Sequence, residues 1–271
     1  MMAPADARSG QGTPDGWLQP PFLEREVVAF MTTRAGGVSL GPYAGLNLGT
    51  AVGDDAAAVA RNRAIMAAAL DGTQPVYLRQ VHGAHVVRLD AADVQRETLH
   101  EADAAVTATP GVACVVQVAD CLPVLYAAPD GRAVGAAHAG WRGLAAGVLE
   151  ATLSEVCAIA RCAPQAVSVW LGACIGPDRF EVGSDVLEAF ARDETAGSAV
   201  RACFRPSASA EGNPRWRADL ARLARLRLEA AGVGALHSAG LCTVSEPSRF
   251  FSYRRDGVTG RMAATIAIRG R

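Results

Sequence analysis

The chain has 271 residues, 50% of them hydrophobic, and a formal net charge of −1. That is long enough for one substantial core. The charge balance leaves no basic footprint for nucleic acid, and no apolar run reaches the ~18 residues of a membrane span. All 26 basic residues are arginine, which excludes a Schiff-base lysine and a P-loop lysine.

Residues 1–20 are rich in Pro, Gly and Asp and read as a disordered N-terminal tail. They lack a basic stretch followed by an apolar one, so no signal peptide is expected and the cytoplasm is the expected location. "VVAFMTT" (27–33) is a short apolar strand, and "RAGGVSLGPYAGLNLG" (34–49) a glycine-punctuated loop. An alanine-rich helix follows, with Asp54 or Asp55 accepting from its first turn and Gly72 ending it. "PVYLRQVH" and "AHVVRLD" are expected to pair as two strands around a turn at Gly83. Four more short β-branched runs cover 103–108, 112–119, 122–128 and 132–139, with "PDG" turning between the last two.

A helix is predicted over 143–161 on the spacing of Leu144, Val148, Leu153 and Val156, and a strand over 166–173. Further helices are expected over 184–193 and 215–233, the second amphipathic through leucines 220, 223, 226 and 228. "MAATIAIR" (262–269) is the closing strand. Helices and strands do not alternate strictly, so the expected fold is α+β: mixed β-sheets layered with flanking α-helices, in one compact domain over 21–271. No long exposed apolar stripe stands out, which favours a monomer.

His82, Cys121 and His138 each fall at a strand end beside a glycine or a turn. Strand ends are where a rigid sheet presents side chains to a cleft. From spacing alone, Cys121 is open to three readings: a core cysteine, a nucleophile paired with His138, or a metal ligand. The seven cysteines form no C-x-x-C, which excludes a four-cysteine zinc ribbon. His85 lies three residues after His82 and points to the opposite face if the strand continues.

The blocks "FMTTRAGGVSLGPYAGLNLGTAVGDDAAAVARNR", "LRQVHGAHVV", "VADCLPVL", "AAHAGWRG", "GACIGPDRFEVG" and "CTVSEPSRFFSYRRDGVTGR" occur in this order over about residues 27–268. Together they resemble the laccase-domain family. Its members go by the names polyphenol oxidase, purine nucleoside phosphorylase with adenosine deaminase activity, and peptidoglycan editing factor. The resemblance implies a laccase-like catalytic domain with a zinc ion on His82, Cys121 and His138, three ligands and an open fourth position. It implies zinc-dependent phosphorolysis of a purine nucleoside, deamination of adenosine, or both, with purine nucleoside and phosphate as partners; methylthioadenosine is among the substrates left open.

Arg142 is the first candidate for an anion contact and is equally open to a surface ion pair. Arg34 and Arg254 are further candidates, or else they tie loops down. Asn47 and Gln80 stand in matching blocks and are candidates to read a purine edge or orient a ligand. Asp103 and Asp120 flank the cluster, where a carboxylate accepting from a ligand histidine fixes its tautomer; turn capping is the other role open to them. Gly45, Ser245-Glu246 and the missing second cysteine after Pro177 depart from the family pattern and leave fine substrate preference open. The alternatives are a cysteine-type hydrolase acting on a peptidoglycan precursor and, ranked below it, a copper polyphenol oxidase. Five histidines are too few for a type-1 site plus a trinuclear copper cluster.

Overall fold

Short β-branched runs flanked by turn residues form most of the molecule, and their pairing is largely non-local. The computed structural model describes residues 13–21, 26–191, 197–207 and 214–270. In chain order the strands are β1 (Val27–Met31), β2 (Gln74–Val76), β3 (Leu78–Arg79), β4 (Val86–Arg88), β5 (His100–Glu101), β6 (Ala104–Thr107), β7 (Val112–Val118) and β8 (Leu122–Ala127). They continue with β9 (Val134–Ala139), β10 (Ser168–Leu171), β11 (Glu181–Gly183), β12 (Phe204–Ser207), β13 (Arg215–Ala218), β14 (Ala235–Ser238) and β15 (Met262–Ile268). The α-helices are α1 (Ala56–Ala68), α2 (Trp141–Ala145), α3 (Val148–Ala160), α4 (Ser184–Ala191), α5 (Gly197–Arg201), α6 (Leu220–Ala230) and α7 (Tyr253–Asp256).

Two mixed sheets carry the fold. One has the order β1-β15-β7-β2, the other β14-β10-β8-β9-β6-β4. Strand side chains alternate between faces, and the burial follows that alternation. Leu125, Ala127, Val134 and Ala136 of the six-stranded sheet pack with Ala29, Met31, Val116 and Ile266 of the four-stranded sheet. Leu122, Val124, Tyr126 and Ala137 turn the other way, onto Leu149, Leu153 and Val156 of α3 and Leu223 and Leu228 of α6. Phe30, Val115 and Ala263 on the outer face of the four-stranded sheet meet Met66 of α1. The domain is thus a single α+β body of two sheets between helices.

Several expectations hold. Asp55 caps α1 by accepting from the Ala58 amide, and "PDG" turns β8 into β9. Others are corrected. The runs on either side of Gly83 do not form a hairpin: β3 pairs with β5, and β4 pairs with β6, both in parallel. The helix expected over 143–161 is two helices, because Gly147 takes φ 93° between α2 and α3, a conformation glycine adopts without strain. The helix expected over 215–233 begins only at Leu220, since 215–218 are drawn into a three-stranded sheet between β11 and β12. Of the tail expected over 1–20, residues 1–12 lie outside the described residues. Trp17 packs on Phe30, and Leu18 bridges to Met31. No helix among the described residues is long and apolar enough to cross a membrane.

Candidate metal centre

The β8–β9 hairpin brings Cys121 and His138 together although 17 positions separate them. Leu122 stands opposite Ala139, and Pro123 opposite His138. Cys121 enters β8 at the same end of the hairpin where β9 leaves. His138 shares the parity of Val134 and Ala136, so its ring lies on the face turned toward the other sheet. Asp103, just before β6, shares the parity of Ala105 on that same face.

His82 arrives on the loop beyond β3, with φ 62°. Asp103 holds that loop. Its carboxylate accepts from the backbone amides of Val81, His82 and Gly83 at 3.2, 2.9 and 2.7 Å. The same carboxylate takes the His138 Nδ1 at 2.8 Å. Asp103 is 0% exposed, and burial alone would raise its pKa. The His138 contact and the Gly83 and Val81 amides outweigh burial and hold it below the usual carboxylate range. An ionised Asp103 can only accept, so His138 carries its proton on Nδ1 and leaves Nε2 to face Cys121.

The ligating atoms of His82, Cys121 and His138 all lie within 4.8 Å of one another. The Cys121 Sγ is 3.9 Å from His82 Nε2. The two imidazole rings meet edge to face, with centroids 4.9 Å apart. Burial opposes ionisation of Cys121, yet the neighbouring His138 and His82 outweigh it and bring the thiol down to about 6. Burial likewise opposes a charged His138, and Cys121 with Asp103 raises it to about 9.

Close approach depends on two glycines in "HAGWRG". A Cβ on Gly140 would lie 2.9 Å from His82 Cδ2 and 3.2 Å from Cys121 Sγ. A Cβ on Gly143 would lie 2.5 Å from the Gly83 carbonyl oxygen. The donor set, the tautomer fixed by Asp103 and the space kept by Gly140 fit a single ion on His82, Cys121 and His138.

The cluster forms the floor of a cleft of about 800 Å³. Asp120, at φ 95°, ties its walls together. Its carboxylate accepts from Thr243 Oγ1 and from the Arg254 amide, each at 2.6 Å, and its carbonyl accepts from the Ile175 amide at 2.9 Å.

Of the other residues singled out from the sequence, Gln80, Arg142 and Arg254 line the cleft. Gln80 is braced by donating to the Gln117 carbonyl and accepting from the Gln117 amide. Arg142 lies 4.3 Å over the Trp141 ring. Arg254 donates to the Glu181 carbonyl at 2.9 Å. Asn47 and Arg34 are not among the cleft-lining residues. Asn47 is 0% exposed, and its amide bonds Gly49, Asp54 and the Arg261 backbone. Arg34 donates to the Ala44 and Pro247 carbonyls and stacks on Phe251. His85 is engaged with the Glu101 carbonyl, and His100 with Asp93. The sequence reading passed over Arg261 and Tyr253, which also line the cleft. Neither has a local pattern that would mark it.

The chain is 47% identical over 254 residues to a purine nucleoside phosphorylase of Pseudomonas aeruginosa, covering 93% of this chain and 98% of that one. It is 44% identical over 251 residues to the purine nucleoside phosphorylase YfiH of Escherichia coli, covering 92% and 96%. Among solved structures, a Neisseria meningitidis protein superposes with a TM-score of 0.83 at 44% identity, covering 94% of this chain and all of that one. YlmD of Geobacillus stearothermophilus gives a TM-score of 0.81 at 34% identity, covering 96% and 98%. A family model for the multi-copper polyphenol oxidoreductase laccase matches residues 28–269.

These findings overturn the zinc expected from the sequence. With it go zinc-dependent purine nucleoside phosphorolysis, adenosine deamination and methylthioadenosine phosphorolysis as the reading of this site. Two imidazoles and one thiolate are a copper-type donor set, and at a given site the first-row affinities peak at Cu²⁺, above Zn²⁺. Copper, ranked last on the histidine count, moves ahead of zinc, on one cluster rather than several: among the described residues only His82, Cys121 and His138 form such a group. By a match over nearly its whole length, the chain belongs to the multi-copper polyphenol oxidoreductase laccase family.

Proposed function

We propose that the chain is an enzyme whose active site is the cleft above His82, Cys121 and His138, and that these side chains hold one ion in a copper-type centre. The observation that carries this reading is the convergence of three donor atoms within 4.8 Å at the cleft floor. When bound, copper supplies a one-electron couple and a Lewis acid. The names of the relatives point to a nucleoside- or phosphate-related small molecule as the partner.

The chain's own residues have separable tasks in this reading. His82, Cys121 and His138 are the catalytic and metal-ligating residues. Asp103 fixes the His138 tautomer and the His82 loop together, so the donors cannot drift independently. Gln80, rigid through its paired bonds to Gln117, presents a fixed edge to the substrate. Arg142 and Arg254 present positive charge on the cleft walls. Asn47 and Arg34 act from behind the wall by holding the glycine loop.

The test is metal competition. Metal-free protein offered equal free Cu²⁺ and Zn²⁺ should retain copper and show a thiolate-to-copper absorption band. Cys121→Ser should abolish the band. Retention of zinc over copper would end this reading.

A second reading rests on Cys121 itself, a thiol brought down to about 6 beside His138. Such a pair suits a cysteine-type hydrolase, and a peptidoglycan precursor is the substrate offered by the family resemblance. Full turnover in metal-free protein, abolished by thiol alkylation, would decide for it.

A further inference from the structure

Asp103 accounts for the placing of both histidines of the cluster and leaves the cysteine to be explained. Its carboxylate takes the His138 ring and the three amides around His82. The residue that leads into Cys121 is Asp120, and its backbone stands at φ 95°. A β-carbon makes a positive φ costly. Such a conformation persists only where the surroundings over-determine it, and it concentrates at functional sites.

The surroundings here are three bonds and a buried seat. Asp120 is 8% exposed. Its Oδ1 accepts from Thr243 Oγ1 and its Oδ2 from the Arg254 amide, each at 2.6 Å, while its carbonyl accepts from the Ile175 amide at 2.9 Å. All three donors come from segments far along the chain. Thr243 is 0% exposed and is pinned in turn. Its amide donates to the Cys174 carbonyl at 3.0 Å, and its carbonyl accepts from Arg255 Nη1 at 2.9 Å. The hydroxyl is therefore fixed before it meets Asp120. Relaxing Asp120 to an ordinary φ would turn the peptide that enters Cys121 and carry the sulfur away from the two imidazoles.

We infer that Asp120 is the positioning residue for the Cys121 sulfur, and that Thr243 is the latch that keeps Asp120 in its strained backbone state. The inference rests on the reading of His82, Cys121 and His138 as ligands of one ion. It divides support of the centre between two carboxylates. Asp103 serves the imidazoles, and Asp120, clamped from the segment that carries Thr243 and Arg254, serves the thiolate. The tautomer role open to Asp120 from the sequence is filled by Asp103 instead.

The test measures metal affinity by chelator competition, the thiolate-to-copper band, and the denaturation midpoint. Affinity is read with Cu²⁺ and with Zn²⁺, so the outcome does not depend on which metal the centre prefers. Thr243→Val keeps shape and charge and removes one hydroxyl. It should weaken the metal by about tenfold and shift the band. Thr243→Ser returns the hydroxyl and should restore both. Asp120→Gly relieves the backbone strain, since glycine adopts a positive φ freely, yet it should cost about 10–100-fold in affinity; should Thr243→Val not fold, Asp120→Gly carries the same decision. A hydroxyl with only a structural role would lower the Thr243→Val midpoint and leave the band in place. Wild-type affinity and band in either variant overturns the inference. Cys121→Ser, measured alongside, separates the two readings. Unchanged affinity there removes Cys121 from the ligand set and ends both. Lost affinity there, with wild-type behaviour in Thr243→Val or Asp120→Gly, ends the positioning role alone.

Discussion

The loop around Asn47 and the cluster around Cys121 are built from similar material, small polar residues between glycines, yet their polar atoms point in different directions. In the loop they point at each other. Asn62 accepts from the Val38 amide and donates to Ser39 Oγ and the Asn47 carbonyl. Asn47 joins Gly49, Asp54 and Arg261. In the cluster, only Asp103 and the His138 Nδ1 are turned inward, and the remaining donors face a cleft. A self-satisfied polar knot is architecture; a knot that leaves ligating atoms aimed at open space is a site.

The largest effect is expected where both tendencies meet, at Asp103. Asp103→Ala removes the acceptor for three backbone amides and for His138 at once. Breaking a buried, charge-assisted group of this kind costs about 3–5 kcal/mol. Loss of the carboxylate behind a ligand histidine weakens metal affinity by about 10–100-fold. Chemical denaturation and metal titration of the variant would measure both. A variant that keeps wild-type metal affinity would mean that His82 and His138 are oriented by something other than this carboxylate.

Gly140→Ala separates the two properties. The added methyl meets the His82 ring and the Cys121 sulfur, and both must shift. Its backbone at φ −67° suits alanine, so global stability should change by less than about 1 kcal/mol. Metal affinity should fall by about tenfold or more. Equal affinities for variant and parent, measured by chelator competition, would show that the donors tolerate displacement and that the tight packing is incidental.

Asn47→Ala is the converse experiment. It leaves the amides of Gly49 and Arg261 without their buried acceptor, at about 1–3 kcal/mol each. The expected outcome is a lower denaturation midpoint with unchanged metal content. Metal loss at wild-type stability would instead place Asn47 in the site, where the family resemblance alone would put it.

Legibility differs between the two regions for a physical reason. Local signals are readable: the Asp55 cap, the "PDG" turn, and the short β-branched runs bounded by turn residues that become β7, β8 and β9. His82, Cys121 and His138 were legible as a group through the motif resemblance, because their spacing along the chain says little. Their proximity comes from hairpin register, and for His82 from amides folded onto Asp103. Such long-range pairing has no local signature. The same limit hid the parallel partners of β3 and β4, and it hid β13, whose four residues look helical until β11 and β12 flank them. Arg261 is silent because an arginine before a strand is ordinary until the fold brings it to the cleft. On the metal the sequence misleads: the resemblance implies zinc and five histidines are too few for a multicopper set, whereas the one cluster that forms among the described residues has a copper-type donor set.

The smallest effect at neutral pH is expected from Tyr77, at the base of the self-satisfied region. Arg63 lies 3.7 Å over its ring and also donates to the Leu48 carbonyl. Burial raises the Tyr77 hydroxyl to about 12, with Arg63 pulling the other way. A phenol ionises near pH 10 in the unfolded chain. The folded pKa is therefore the higher of the two, and the folded state keeps its proton after the unfolded state has lost it. Stability is fully present below about pH 10 and declines as pH rises toward about 12. A two-unit difference amounts to roughly 3 kcal/mol at the far end of that window. Tyr77→Phe should match the parent at pH 8 to within the cost of a weak contact to Met66 sulfur. Above pH 10 the variant should lose stability less steeply than the parent. The chain has no lysine to titrate over the same range, so the difference between the two urea-denaturation series isolates this hydroxyl. Parallel series from pH 8 to pH 11 would show that Tyr77 reaches solvent in the folded state, and that the polar knot is looser at its base than the hydrogen bonds above it require.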